Sequence, residues 1–201
     1  AFSGQKTYNG VALLAREPIV DVVCGNPHFP DEQKRLISGT VGDTRVICAY
    51  MPNGQEVGCD KYDYKLRWLD GLAVWVGEEM AKYPKLALCG DYNIAPDDRD
   101  VHDPKRWADC ILVSPPERAA FQRFLGLGLS DSFRLFEQPE KTFSWWDYRM
   151  LGFQKNQGLR IDHVLLSKPL AEKCTAAGVD RAPRKLERPS DHAPVWAEIG
   201  G

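Results

Sequence analysis

"KLALCGDYNIAPDDRD", residues 85–100, lies near the middle of the 201-residue chain, and its reading decides the fold. Leu86 to Cys89 is an apolar run too short to alternate, as expected of a strand buried on both faces. It stops at Gly90 and is followed at once by Asp91, Tyr92 and Asn93. Gly, Asp and Asn are ordinary turn residues, so one reading is simply a strand end. The other is a site. At i and i+2, Asp91 and Asn93 point to the same side and offer oxygen ligands or hydrogen bonds to one centre.

Upstream, the chain reads as strands. Val11 to Ala15, Ile19 to Cys24, Leu36 to Val41 and Arg45 to Tyr50 are short β-branched runs separated by Gly, Pro, Asn and Asp. In "DKYDYKLRWLDGLAVWVGEEMAKYP", Tyr64, Trp68, Leu72, Trp75, Val76 and Met80 recur at helical spacing until Pro84. A second helix is predicted in "SPPERAAFQRFLGLG". Ser114 and Glu117 can form its capping box, Pro115 suits its first turn, and Gly126 or Gly128 ends it. "RIDHVLLS" alternates and "APVWAEI" is a last strand. Strands and helices mixed without regular βαβ alternation favour an α/β fold of two packed sheets flanked by helices.

The polar residues able to do chemistry share one placement. Tyr50 and Asn53 follow "TRVICA", Asp91 and Asn93 follow "KLALCG", Asp162 sits inside "LRIDHVLL", and Asp191 and His192 precede "APVWAEI". One Asp-His pair before a strand is ordinary turn chemistry. Four such placements point to a site, because the ends of neighbouring strands converge on one surface. Hard oxygen donors without Cys suit Mg²⁺ or Mn²⁺. A His with a carboxylate partner can act as a base, or contact a phosphate oxygen when protonated.

Composition sets the limits. With 43% hydrophobic and 27% charged residues, the chain is ordinary globular material, expected to form a single domain over residues 1–201. No apolar run approaches the ~18 residues of a membrane span. "AFSGQKTYNG" lacks the pattern of a signal peptide, and the chain does not begin with Met. The six scattered cysteines form no C-x-x-C pair and read as reduced thiols of a cytoplasmic protein. A net charge of −2 provides no general attraction for nucleic acid, so phosphate binding must rest on a local patch. Arg181, Arg184, Lys185 and Arg188 are one basic cluster, of a kind that is commonly a solvated loop. Nucleophile-elbow, Walker A and dinucleotide-binding motifs are absent from the sequence.

"YNGVALLAR", "VICAYMPNGQ", "GDYNIAP", "GLSDSFR", "TFSWWDYR", "GLRIDHVLLS" and "RPSDHAPVWAEI" together resemble the exonuclease III family of apurinic/apyrimidinic endonucleases. This family sits within the endonuclease/exonuclease/phosphatase superfamily, and the resemblance runs in order along essentially the whole chain. It implies a four-layer α/β sandwich and a Mg²⁺-dependent (Mn²⁺ possible) phosphodiesterase site. The implied partner is double-stranded DNA with abasic sites or 3′ ends, cut by a monomer. By resemblance, Asp91 would orient or deprotonate the attacking water, or protonate the leaving oxygen. Asn93 would hydrogen-bond the phosphate, Asp162 would orient His192, and His192 and Tyr50 would contact the scissile phosphate. The metal would be held among Asp91, Asn93, Asp191 and His192. Trp145 would wall a pocket for a sugar without a base, with Leu159 as a further DNA contact, Ile161 nearby and Trp146 in the core. Arg35, Asn53, Arg149 and Arg160 would contact the DNA backbone.

One departure matters. The N-terminal strands that carry the family's Asn and its metal-ligand Glu are not in this sequence, so an N-terminally truncated domain is expected. Such a chain alone would be weakly active or inactive, with exposed sheet edges. Two alternatives stay open: another phosphodiesterase or phosphatase of the superfamily, or a non-catalytic DNA- or protein-binding module of this fold.

Overall fold

The computed structural model describes residues 1–200. In chain order the strands are β1 (Phe2–Gly4), β2 (Gly10–Ala12), β3 (Ile19–Cys24), β4 (Leu36–Val41) and β5 (Thr44–Tyr50). Helix α1 (Asp60–Lys82) leads to β6 (Leu86–Asp91), α2 (Pro104–Trp107), α3 (Pro115–Gly126) and β7 (Leu129–Asp131). After a long irregular stretch come β8 (Asp162–Ser167), α4 (Lys168–Ala171), β9 (Cys174–Val179) and β10 (Val195–Ile199).

Six strands form one mixed sheet in the order β3-β4-β5-β6-β8-β7. Only β5 and β6 are parallel, which requires the crossover that α1 supplies. Helix α1 forms as its spacing predicts. Trp68, Leu72, Trp75 and Val76 are buried, and Tyr64 and Met80 pack at the margin. With Phe121 and Phe124 of α3 they cover Ile47, Leu86, Leu88 and Leu165 on one face of the sheet. Each such side chain fully removed from water contributes roughly 1.5–3 kcal/mol. The Ser114–Glu117 capping box of α3 is present as expected.

The opposite face carries two short ladders, β1–β2 and β9–β10, so the expected α/β layering has a second layer of two separate hairpin-like pairs. Between them Val46, Cys48, Cys89 and Val164 are only half-buried. The sheet edge β3 exposes Val20, Val22 and Val23, and a register shift between Val20 and Val23 interrupts its pairing with β4. Such irregularity blunts an edge against further strand addition. Two smaller clusters lie under the site loops. Ala95, Val101, Leu112, Leu159 and Ile161 form one, and Phe143, Trp146 and Ala193 the other. All six cysteines are free.

Candidate active site

The register of the central strands assembles the site. Tyr50 on β5 pairs with Asp91 on β6, and Asp91 pairs with Asp162 on β8. Three adjacent strands thus place three of the expected site residues in one row on the same face. Gly90 permits the close approach of β5 and β6. Its φ is +138°, and a Cβ there would run into the carbonyl of Ala49.

Past the strand, Asn93 adopts the left-handed region at φ 50°, which Asn tolerates better than most residues. The chain therefore folds back on Asp91. The Asn93 backbone N–H donates to Asp91 Oδ1 at 2.8 Å, and its side-chain Nδ2 donates to Asp91 Oδ2 at 2.9 Å. Tyr92 between them is buried in the main core, with its hydroxyl donating to the Leu88 carbonyl at 2.9 Å. So the turn reading and the site reading of residues 90–93 are one structure.

His192 Nδ1 lies 3.1 and 2.9 Å from the two oxygens of Asp162, and its Nε2 lies 4.0 Å from Asp91 Oδ2. The Ser144 hydroxyl fixes Asp162 from behind. It accepts from the backbone N–H groups of Ile161 and Asp162, both at 3.0 Å, and donates to Asp162 Oδ2 at 2.7 Å. Trp145 is threaded between Leu159 and His192 by isolated bridges, and its indole Nε1 donates to Asp191 Oδ2 at 3.0 Å.

These contacts set the charges. Burial, followed by the nearby Asp162 carboxylate, raises Asp91 to about 7, against the opposing pull of His192 and the Asn93 N–H. For His192, burial favours the neutral ring. The Asp162 hydrogen bond and the charges of Asp162, Asp91 and Asp191 outweigh it and lift the pKa to about 9. At neutral pH His192 is therefore an imidazolium, while Asp91 is held well above the ordinary carboxylate range.

Ligand atoms of Asp91, Asp162 and His192 lie within 4.8 Å of one another, a possible acidic metal site. Two carboxylates at such range, one raised to about 7, are a donor set that a hard divalent cation would neutralise. This group differs from the expected ligand set. Asn93 is spent on Asp91, on the Met51 carbonyl and on the Asn53 amide, which donates to its Oδ1. Asp191 stands outside the group, tied through one oxygen to Trp145.

Among the expected DNA contacts, two are corrected. Arg160 is 1% exposed, because its guanidinium pairs with Asp100 and Asp131 and donates to His163 Nδ1, so it is an internal brace. Leu159 is likewise fully buried and backs Trp145 from below. The others are accessible. Arg35 stacks over the Tyr50 ring at 4.9 Å beside a groove of about 920 Å³ that Asn53 also lines. On the opposite flank Trp145 and Arg149 line a cavity of about 570 Å³ with Trp107, His102, Arg106 and Lys155. Arg184 from the basic cluster is buried against Trp146, Tyr148 and Phe153, not solvated.

A model of the endonuclease/exonuclease/phosphatase family matches residues 1–192, across every element that builds this site. The chain belongs to that family. It is 40% identical over 210 residues to the exodeoxyribonuclease III of Haemophilus influenzae, covering 98% of this chain and 78% of that protein. A 3′ phosphatase (NExo) from Neisseria, solved bound to a product DNA hairpin, superposes with a TM-score of 0.98 at 46% identity. That match covers 100% of this chain and 79% of the other. An AP endonuclease from Archaeoglobus fulgidus superposes with a TM-score of 0.94 at 35% identity, over 99% of this chain and 78% of its own.

Within this family member, two contributors to the site escaped the sequence reading. Ser144 stands in "TFSWWDYR", where the tryptophans drew the interpretation. Lys65 lies three residues before Trp68 on the buried face of α1, and a lysine at an apolar-phase position was the available signal.

Proposed function

We propose that this protein is a divalent-metal-dependent DNA nuclease of the exonuclease III type, hydrolysing phosphodiester bonds at abasic sites or 3′ ends of duplex DNA. The observation that carries this reading is the Asp162–His192 ion pair held beside Asp91, where the ends of adjacent sheet strands meet the loop before β10. The family relatives supply the substrate class.

The chemistry follows from the charges. His192, protonated at neutral pH, presents Nε2 as a charged donor to a non-bridging phosphate oxygen, while Asp162 holds its ring in place. Asp91, fixed beside His192 at the strand end, accepts a proton from the attacking water or returns one to the leaving oxygen. Asn93 fixes the Asp91 carboxylate through two hydrogen bonds, and Tyr50 stands beside it in the row. The carboxylates of Asp91 and Asp162 would hold Mg²⁺ or Mn²⁺, which would supply Lewis-acid neutralisation of the phosphate charge. Trp145, beside the centre and lining a cavity with Arg149, offers an apolar wall for a sugar without a base and a cation for the adjoining strand.

The test is incision of a duplex carrying one abasic site, and of a 3′-recessed duplex, by the intact protein. Cleavage is expected with Mg²⁺, none is expected in EDTA, and Asp91→Asn or His192→Ala should each reduce the rate by orders of magnitude, on the order of 10²–10⁴-fold. Hydrolysis of a soluble phosphomonoester with no cleavage of either DNA would instead favour a phosphatase.

A further inference from the structure

Beneath the site lies a buried charge that the chemistry above does not use. Lys65, on α1, is 0% exposed, and its ammonium has three partners. It donates to the carbonyls of Asn53 at 3.1 Å and Asn93 at 2.7 Å, and it pairs with Glu117 on α3. Those three partners use all three of its donors. No backbone N–H reaches either asparagine carbonyl among the described residues.

The two carbonyls belong to the loops that leave β5 and β6, the parallel strands whose ends carry Tyr50 and Asp91. Glu117 is itself immobilised, because its other oxygen accepts from both the backbone N–H and the hydroxyl of Ser114. The ammonium therefore anchors both loops to the start of α3. A buried Lys–Glu pair is a weak source of stability, since desolvation offsets most of the attraction.

We propose that Lys65 is a positioning residue for the nuclease reaction. It sets the backbone of Asn53 and Asn93, so that the Asn53–Asn93–Asp91 hydrogen-bond chain meets the scissile phosphate in one fixed arrangement. The inference rests on the nuclease reading above. Because Lys65 reaches the reacting phosphate through the Asn93–Asp91 hydrogen bonds, its loss should fall mainly on kcat, with the smaller effect on KM coming through Asn53.

The test is Lys65→Met combined with Glu117→Gln in the intact protein, which removes both charges and leaves neither one unpaired. Three results are expected together. The variant remains folded, with a melting temperature lowered by several degrees because the Asn53 and Asn93 carbonyls lose their donor. The kcat for abasic-site incision falls by on the order of 10²-fold with a smaller change in KM, as for a small misplacement of catalytic groups. The side-chain amide resonances of Asn53 and Asn93 shift in the metal-free protein. A folded double variant with wild-type kcat overturns the proposal, as does a KM change that accounts for the whole loss. A double variant that cannot fold also overturns it, by showing the pair to be structural. If the wild-type protein cleaves no DNA, the nuclease reading fails, and the asparagine resonances still report separately on whether Lys65 sets those loops.

Discussion

His192 keeps its proton to about pH 9 only while Asp162, Asp91 and Asp191 remain charged around it. A group whose folded pKa is raised stabilises the fold fully below its unfolded value of about 6.5, and that contribution disappears as pH rises through 9. In the metal-free protein the ring should titrate near 9 by NMR, and in Asp162→Asn it should move back towards 6.5. An unchanged titration in that variant would deny Asp162 its role. Ser144 invites a second substitution at this scale. Ser144→Ala removes a donor to Asp162 and strands the N–H groups of Ile161 and Asp162. Urea denaturation should register a loss of about 1–3 kcal/mol, accompanied by a lower kcat as the Asp162–His192 pair loosens.

The parallel pair β5 and β6 is the element on which the site depends, because its register sets Tyr50 against Asp91. Gly90 is required there by both its φ and the Ala49 carbonyl facing it. Gly90→Ala should force the two strands apart at their functional ends. Activity is expected to drop further than stability, measured by comparing incision rate with thermal midpoint. The β8 end is braced by Arg160 between Asp100 and Asp131. Arg160→Met would leave two carboxylates buried without their shared partner, and should cost about 3–5 kcal/mol in a denaturation experiment. Had Arg160 been a DNA contact, the same substitution would weaken binding and leave stability intact.

Across the whole molecule, acid should act through His163, which is buried where β8 meets α3. Burial, then the adjacent Arg160 cation, depresses it to about 3. Arg160 donates to its Nδ1, so the neutral ring carries its proton on Nε2, 2.9 Å from the Ile94 carbonyl. The unfolded chain takes up a proton below about 6.5 that the folded chain refuses. The contribution of His163 to stability therefore falls as pH drops from 6.5 towards 3, by at most ~1.4 kcal/mol per unit, against the opposite contribution of the raised Asp91. His163→Gln should remove this contribution, so that denaturation curves recorded at pH 7, 6 and 5 show less loss of stability with acid than wild type. Local sequence was sufficient for much of the rest. The period of α1, the Ser114–Glu117 box and the strand that ends in Asp91 are short-range patterns, and each appears where spacing alone put it. What spacing could not reveal was which polar residue turns outward. Arg160 and Arg149 look alike in sequence, yet one meets two carboxylates inside the fold and the other stays 85% exposed beside its neighbour Asp147. Lys65 and Glu117 lie 52 residues apart and neutralise each other only once α1 packs on α3. Burying a charge is decided by its long-range partners, and only tertiary structure brings those partners together.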